Sequence, residues 1–403
     1  MDKAETLFLD SLRCAIKGES VDWNEMPEQD TLRRLFRLAR EHKVLPLVLQ
    51  AFSGNAAVME LPGVRFFQRE ARALTLLQAR HTGDFLLVME RLAASGLHPA
   101  VLKGAVCRSL YPEPEQRAST DEDLLVSPED FQRCHEALLA CGLRLKDPNR
   151  PVEGEDEVTY VDPEREIYLE LHLSPFDMED ETCGDCNRFF ENVLTDLVPL
   201  QIYGQTLYTL SPTDHLLYLF CHAFKHILYG GVGVRQICDV CLFAQRFDRE
   251  IDWERVRSAC EELRLLKLAA AFFRIGERYL DIPCPALFST IEVDELPLLH
   301  DSLSGGLFGV LDMDRLHSSR ITLDAVASAK QGRARRGLWN SLFPGAEYLK
   351  NLFPFARSHP VLLPVAWAKR ICNYVFREKT SAAKSLQIGR ERVELLRRYG
   401  LLP

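Results

Sequence analysis

No stretch of this 403-residue sequence is apolar for long enough to cross a bilayer. The longest suggestive run, Val361 to Ala368, is interrupted by Pro364 and falls far short of the roughly 20 residues a span requires. The N-terminus, MDKAETLFLDSLRCAIKGES, also lacks the unbroken apolar segment of a secretory signal, because Asp, Lys, Glu and Arg interrupt it. Both absences lead to the expectation of a cytoplasmic protein without a membrane span. The 12 cysteines are then expected to stay reduced and to pack as small hydrophobes. Basic charge is lacking too: 49 Lys and Arg face 58 Asp and Glu, a net charge of -9, which excludes a whole-surface nucleic-acid binder. There is no internal repeat and no low-complexity tract. No Gly-rich phosphate loop is present either, since Gly230-Gly231-Val232-Gly233 is not followed by Lys-Ser or Lys-Thr and reads as a turn between helices. No serine sits in a nucleophile elbow.

What remains is the pattern of a globular α+β protein, 47% hydrophobic and 27% charged. Residues 1–95 read as a helical region, with Leu32, Leu35, Phe36, Leu38 and Ala39 at helical spacing. A second pattern runs from Phe66 to Leu92 and stops at Gly96. Residues 96–205 change texture and predict strands at Pro99–Leu102, Asp121–Val126, Val158–Val161 and Ile167–Leu173. A short helix is expected from Ala105 to Tyr111. A longer one starts at Ser127-Pro128-Glu129-Asp130, with a capping serine, Pro at the first position and acids in the first turn, and ends at Gly142. Residues 206–403 return to helix, with the same start signal at Ser211-Pro212-Thr213-Asp214 and a further helical stretch from Trp253 to Tyr279.

The chemistry concentrates in the middle region. Asp121 and Asp123 are one residue apart, so on a strand both side chains leave the same face. Two carboxylates held together repel unless a cation lies between them, and an open oxygen site suits Mg²⁺ with waters and substrate phosphates. Glu170, on a later strand, can complete a three-carboxylate site, and two ions so held clamp the oxygens of an in-line phosphoryl displacement. His172 shares the face of Glu170; it reads either as a catalytic base or as a partner that orients a ligand. The Lys103-Gly104 turn ends a strand and opens a helix, offering backbone N–H groups and an ammonium to phosphate. Arg117 is suited to bind phosphate in bidentate fashion, with Ser119 and Thr120 as further hydroxyl donors.

The order Val101-Leu102-Lys103-Gly104, Arg117, Asp121 to Val126, then Leu169-Glu170-Leu171-His172 resembles the DNA polymerase beta-type nucleotidyltransferase superfamily. More narrowly it resembles a poorly characterised bacterial branch with Lys-Gly in place of Gly-Ser. Flanking pieces share the likeness: Ala39 to Pro46, Leu210 to Asp214, and Val234-Arg235-Gln236-Ile237-Cys238-Asp239. The resemblance implies a polymerase-beta-type core between helical regions, and transfer of a nucleoside monophosphate from a nucleoside triphosphate. It implies Mg²⁺, two ions, on Asp121, Asp123 and Glu170, with Lys103, Gly104, Arg117 and Ser119 toward the nucleotide. The acceptor is left open between small molecule, protein and RNA, so a toxin-like enzyme acting on RNA stays among the readings. Two departures from the family pattern bear on the triphosphate grip: the altered turn, and the 16 residues between Gly104 and Asp121. A non-catalytic nucleotide- or partner-binding module is the alternative they favour.

Other groups carry weaker signals. Cys183/Cys186 and Cys238/Cys241 have the spacing of zinc ligand pairs but read as ordinary thiols. His222 and His226, four apart on a helix, lack a zinc protease's glutamate and read as core histidines. Arg235 and Asp239 are spaced for a helical ion pair. Residues 366–403 hold nine Lys and Arg against three Glu, a local +6 that leaves -15 for the rest. Val393, Leu395, Leu396 and Leu401 predict that this basic end forms a helix packed on the acidic body, with a nucleic-acid or membrane contact as the alternative.

Overall fold

Helix-start signals in the sequence become real caps. Ser127 accepts from the Asp130 N–H, and Ser211 accepts from the Asp214 N–H. The computed structural model describes residues 1–23, 26–149, 151–162, 164, 167–306, 313–331, 360–367, 369 and 382–402. Five helices come first: α1 (Lys3–Ile16), α2 (Gln29–Glu41), α3 (Leu45–Gln50), α4 (Ala56–Met59) and α5 (Pro62–Ala94). Gly96 follows α5 at φ 70°, the left-handed position that glycine adopts without steric cost.

The middle region supplies β1 (Ala100–Leu102), α6 (Gly104–Arg108), β2 (Asp121–Leu125), α7 (Pro128–Ala140), β3 (Arg144–Leu145), β4 (Glu157–Asp162) and β5 (Ile167–His172). A hairpin the sequence reading did not include follows, β6 (Val198–Ile202) and β7 (Gln205–Thr209). Its turn residues Tyr203 and Gly204 both have positive φ, 49° and 81°, as a tight two-residue hairpin turn demands. The described strands form one mixed sheet in the order β3-β4-β5-β2-β1-β7-β6. Its two parallel pairings, β2 with β5 and β1 with β7, join strands distant in sequence.

Helices then cover the sheet and extend the body: α8 (Pro212–Tyr229), α9 (Val234–Arg246), α10 (Trp253–Glu262), α11 (Leu266–Leu280), α12 (Ala286–Ser289), α13 (Leu296–Gly305), α14 (Met313–Lys330) and α15 (Ala382–Arg398). The glycine run at 230–233 is indeed the turn between α8 and α9. The stretch from Trp253 to Tyr279 is two helices, broken around Arg264 at φ 60°. Val393, Leu395, Leu396 and Leu401 are buried, and α15 packs on α14 as the apolar spacing predicts. Arg392 is buried as well, and its guanidinium bonds the Ile227 and Leu228 carbonyls near the end of α8, where cations are favoured. Of the other basic residues of this end, Arg370, Arg377 and Lys379 lie outside the described residues. No described helix is long and apolar enough to cross a membrane.

Two buried histidines tie the elements together, His42 between helices and His215 between a helix and the sheet. His42 is fully buried, stacks on Phe8, and its Nδ1 accepts the Val234 N–H at 3.3 Å. His215 is fully buried on α8; its Nε2 accepts the Lys103 N–H at 3.2 Å. The other nitrogen, Nδ1, then carries the proton and donates to Thr209 Oγ1 at 2.9 Å, whose hydroxyl donates to the Val101 carbonyl. Burial lowers the pKa of His42 to about 4 and that of His215 to about 3. Both are neutral in the folded chain and titrate near 6.5 once unfolded. Their stabilisation is therefore complete above about pH 6.5 and is lost as pH falls toward 4, by about 1.4 kcal/mol per pH unit for each histidine. Melting temperatures should drop across that window, and His215→Gln should show a shallower drop than the parent chain.

Candidate metal and nucleotide site

The parallel register of β2 and β5 sets Asp121 opposite Tyr168, Asp123 opposite Glu170 and Leu125 opposite His172. With a period of two, Asp121, Asp123, Glu170 and His172 share one sheet face. The Nε2 of His172 lies 3.2 Å from Asp123 Oδ1 and 3.7 Å from Glu170 Oε2. Asp123, Glu170 and His172 each present a ligand atom within 4.8 Å of the others, a set able to hold a metal ion. The donors also suit one: burial, and then the charge of Asp123, push Glu170 up to about 7, so the cluster carries negative charge that a divalent cation would relieve.

Lys103 adopts φ 34° and ψ -110°, outside the usual regions for a residue with a side chain. Its backbone N–H is held by His215, and its ammonium lies 3.2 Å from Asp121, 3.0 Å from Asp123 and 3.1 Å from His222 Nε2. Burial opposes the charge of Lys103, but Asp121 and Asp123 override it and raise its pKa well above the usual value. The same ammonium holds Asp121 well below the ordinary carboxylate range. The lysine expected at the phosphates thus rests on the carboxylates, and Asp121 is tied to it.

Glu122 points to the opposite face of β2. It pairs with buried Arg108, and its Oε2 accepts the Ala105 N–H at 2.9 Å. Gly104 touches that carboxylate so closely that a Cβ would collide with Glu122 Oε2, so only glycine fits. The N–H of Ala105, part of the turn read as a phosphate cradle, is already used inside the protein.

Arg117 is buried, and its Nε and Nη2 donate to the two oxygens of Asp239 at 3.0 and 2.6 Å, leaving Nη1 without a partner. Tyr111 Oη adds a third bond to Asp239 at 2.8 Å. The helical pair expected between Arg235 and Asp239 is therefore replaced by a pairing with a residue 122 positions away in sequence. Arg235 instead donates to the Ala118 carbonyl. Ser119 receives the Arg108 guanidinium on its hydroxyl and donates its N–H to Gln78 Oε1 at 2.7 Å.

Above the carboxylates lies a cleft of about 280 Å³, lined by Lys103, Gly104, Arg117, Ser119, Asp121 and Glu170 from the sequence-predicted set. His222, Lys225 and His226 of α8, Arg235 and Asp239 of α9 and Glu157 of β4 line it as well. His222 and His226 face one another at 3.2 Å, with pKa values lowered chiefly by burial and then by Lys103. They read as core histidines in the sequence, yet they form the cleft wall; neither joins the metal-capable set among the described residues. The two cysteine pairs are buried thiols and form no such set either. His215 carried no chemical motif, and its role in holding Lys103 appears only when α8 is placed against β1.

A family model described as an uncharacterised nucleotidyltransferase matches residues 28–281, more than half of the chain, and the protein belongs to that family. Membership implies transferase activity on a nucleoside triphosphate. No curated protein and no solved structure matches the chain.

Proposed function

We propose that this protein is a Mg²⁺-dependent nucleotidyltransferase of the DNA polymerase beta type, moving a nucleoside monophosphate from a nucleoside triphosphate to an acceptor hydroxyl or phosphate. The observation that carries the reading is the convergence of Asp123, Glu170 and His172 beneath a cleft that Lys103, Arg117, Lys225 and Arg235 also line. Asp123 and Glu170 would hold the ion and Asp121 would share a second one, with His172 orienting the Asp123 carboxylate between them. Bound there, Mg²⁺ supplies charge neutralisation to the phosphoryl oxygens and lowers the pKa of the acceptor. His172 fixes the Asp123 carboxylate through their 3.2 Å contact. Glu170 lines the cleft, and as a ligand of the ion nearest the acceptor it would help, with that ion or with His172, to draw off the acceptor's proton. Lys103 holds Asp121 and Asp123 in place from 3.2 and 3.0 Å, and positioning by these fixed groups supplies most of the rate.

The test is incubation of the full chain with each α-labelled nucleoside triphosphate, Mg²⁺ and cell lysate. Label should pass to an acceptor with release of pyrophosphate, and chelation of Mg²⁺ should stop it. Absence of both label transfer and Mg²⁺-dependent nucleotide affinity would overturn the reading in favour of a partner-binding module.

A further inference from the structure

Arg235 is a buried cation without a counter-ion of its own. It is 5% exposed on α9 and lines the cleft. Among the described residues its one hydrogen bond is from Nη1 to the Ala118 carbonyl, and its Nε has no partner. Asp239, four residues on and the natural helical partner, gives both oxygens to Arg117 and a further bond to Tyr111. Asp121 is within electrostatic reach but is held by Lys103. Burying a guanidinium costs several kcal/mol unless an anion compensates. Burial, and then the neighbouring charge of Arg117, bring its pKa down to about 10, which still leaves it charged at neutral pH.

One end of this guanidinium is thus fixed by a carbonyl, and among the described residues no other hydrogen bond engages it. A guanidinium that lines the cleft with donors to spare matches the oxygens of a phosphate. Lys225 lines the same cleft and adds positive charge from α8. We propose that Arg235 is the principal phosphate-binding residue of the cleft, gripping the triphosphate of the nucleotide in the role its neighbour Arg117 is prevented from filling. The inference rests on the nucleotidyltransferase reading for the identity of the anion, and on the unpaired guanidinium for its place.

Calorimetry on the full chain with Mg²⁺ separates the two. Arg235→Met should weaken binding of a nucleoside triphosphate and of inorganic tripolyphosphate by ~10- to 100-fold, the range of a hydrogen bond to a charged group. Nucleoside binding should be unchanged. Arg235→Lys, which keeps the charge and loses the fork, should fall in between. Without ligand, Arg235→Met should melt at or above the parent temperature, because an uncompensated charge has been removed. A variant that melts several degrees lower, or that binds triphosphate as the parent does, overturns the role of Arg235 and leaves the enzymatic reading intact. Tripolyphosphate binding through Arg235 without any nucleotide affinity keeps the anion site and removes the nucleotidyltransferase reading. A parent chain that binds neither removes both.

Discussion

Asp123→Asn is expected to lower nucleotidyl transfer by about 10³-fold, or about 4 kcal/mol of transition-state stabilisation, with little change in melting temperature. The carboxylate is 1% exposed and links the two cationic or ring partners of the cluster: Lys103 at 3.0 Å on one oxygen, His172 at 3.2 Å on the other. Asparagine keeps the shape but removes the charge that draws a cation into the site. Lys103 retains Asp121 as a partner, so the buried ammonium is not abandoned and the fold should survive. Asp121→Asn is expected to cost less, because that side chain is 35% exposed at the rim and sits outside the metal-capable set. The double change to alanine should abolish transfer. Turnover at the parent rate in the Asp123 variant would sink the assignment, provided its melting curve is native.

How much of this site was written in the sequence depends on the range of the interaction. The Asp121-x-Asp123 spacing and the Glu170-x-His172 spacing are local, and strand pleating alone puts each pair on one face. That the two strands are parallel neighbours, in a register that faces Asp123 with Glu170, is a property of the sheet. The fate of the turn residues was less legible. Three consecutive acids on a strand mean that Glu122 must point away from its neighbours, into the protein, where it needs a cation and donors. It finds Arg108 and the Ala105 N–H, and so removes a group the sequence offers to phosphate. The β6–β7 hairpin went unread although Val198, Leu200 and Ile202 alternate with Pro199 and Gln201, because Pro199 argues against a strand and Gln205-Thr206 open β7 with two polar residues. Helical spacing correctly flagged Arg235 and Asp239 as neighbours, but the buried carboxylate went to the better-placed fork of Arg117. A local pairing rule worth a few tenths of a kcal/mol yields to a bidentate contact in the interior.

Asp239 carries the largest structural prediction. Its two oxygens take three hydrogen bonds, from Arg117 Nε, Arg117 Nη2 and Tyr111 Oη, with all three residues 5% exposed or less. Two guanidiniums, those of Arg117 and Arg235, depend on this one carboxylate for charge compensation. Asp239→Asn removes the charge and turns an amide N–H₂ toward a donor. Breaking a buried pair from one side costs about 3–5 kcal/mol, which should appear as a clear fall in both the thermal and the urea midpoints. Arg117→Met should cost less, because Arg235, one helical turn before Asp239, can then swing onto the vacated carboxylate. If it does, that variant should also lose triphosphate affinity, since the cleft's unpaired guanidinium has been consumed. Arg117→Met with Asp239→Leu should recover only part of the stability, because replacing the buried pair by apolar groups is tolerated while Arg235 and Tyr111 Oη still lose the carboxylate. Equal losses in Asp239→Asn and Arg117→Met would mean that Arg235 cannot substitute, and that the two guanidiniums do not compete for the same carboxylate.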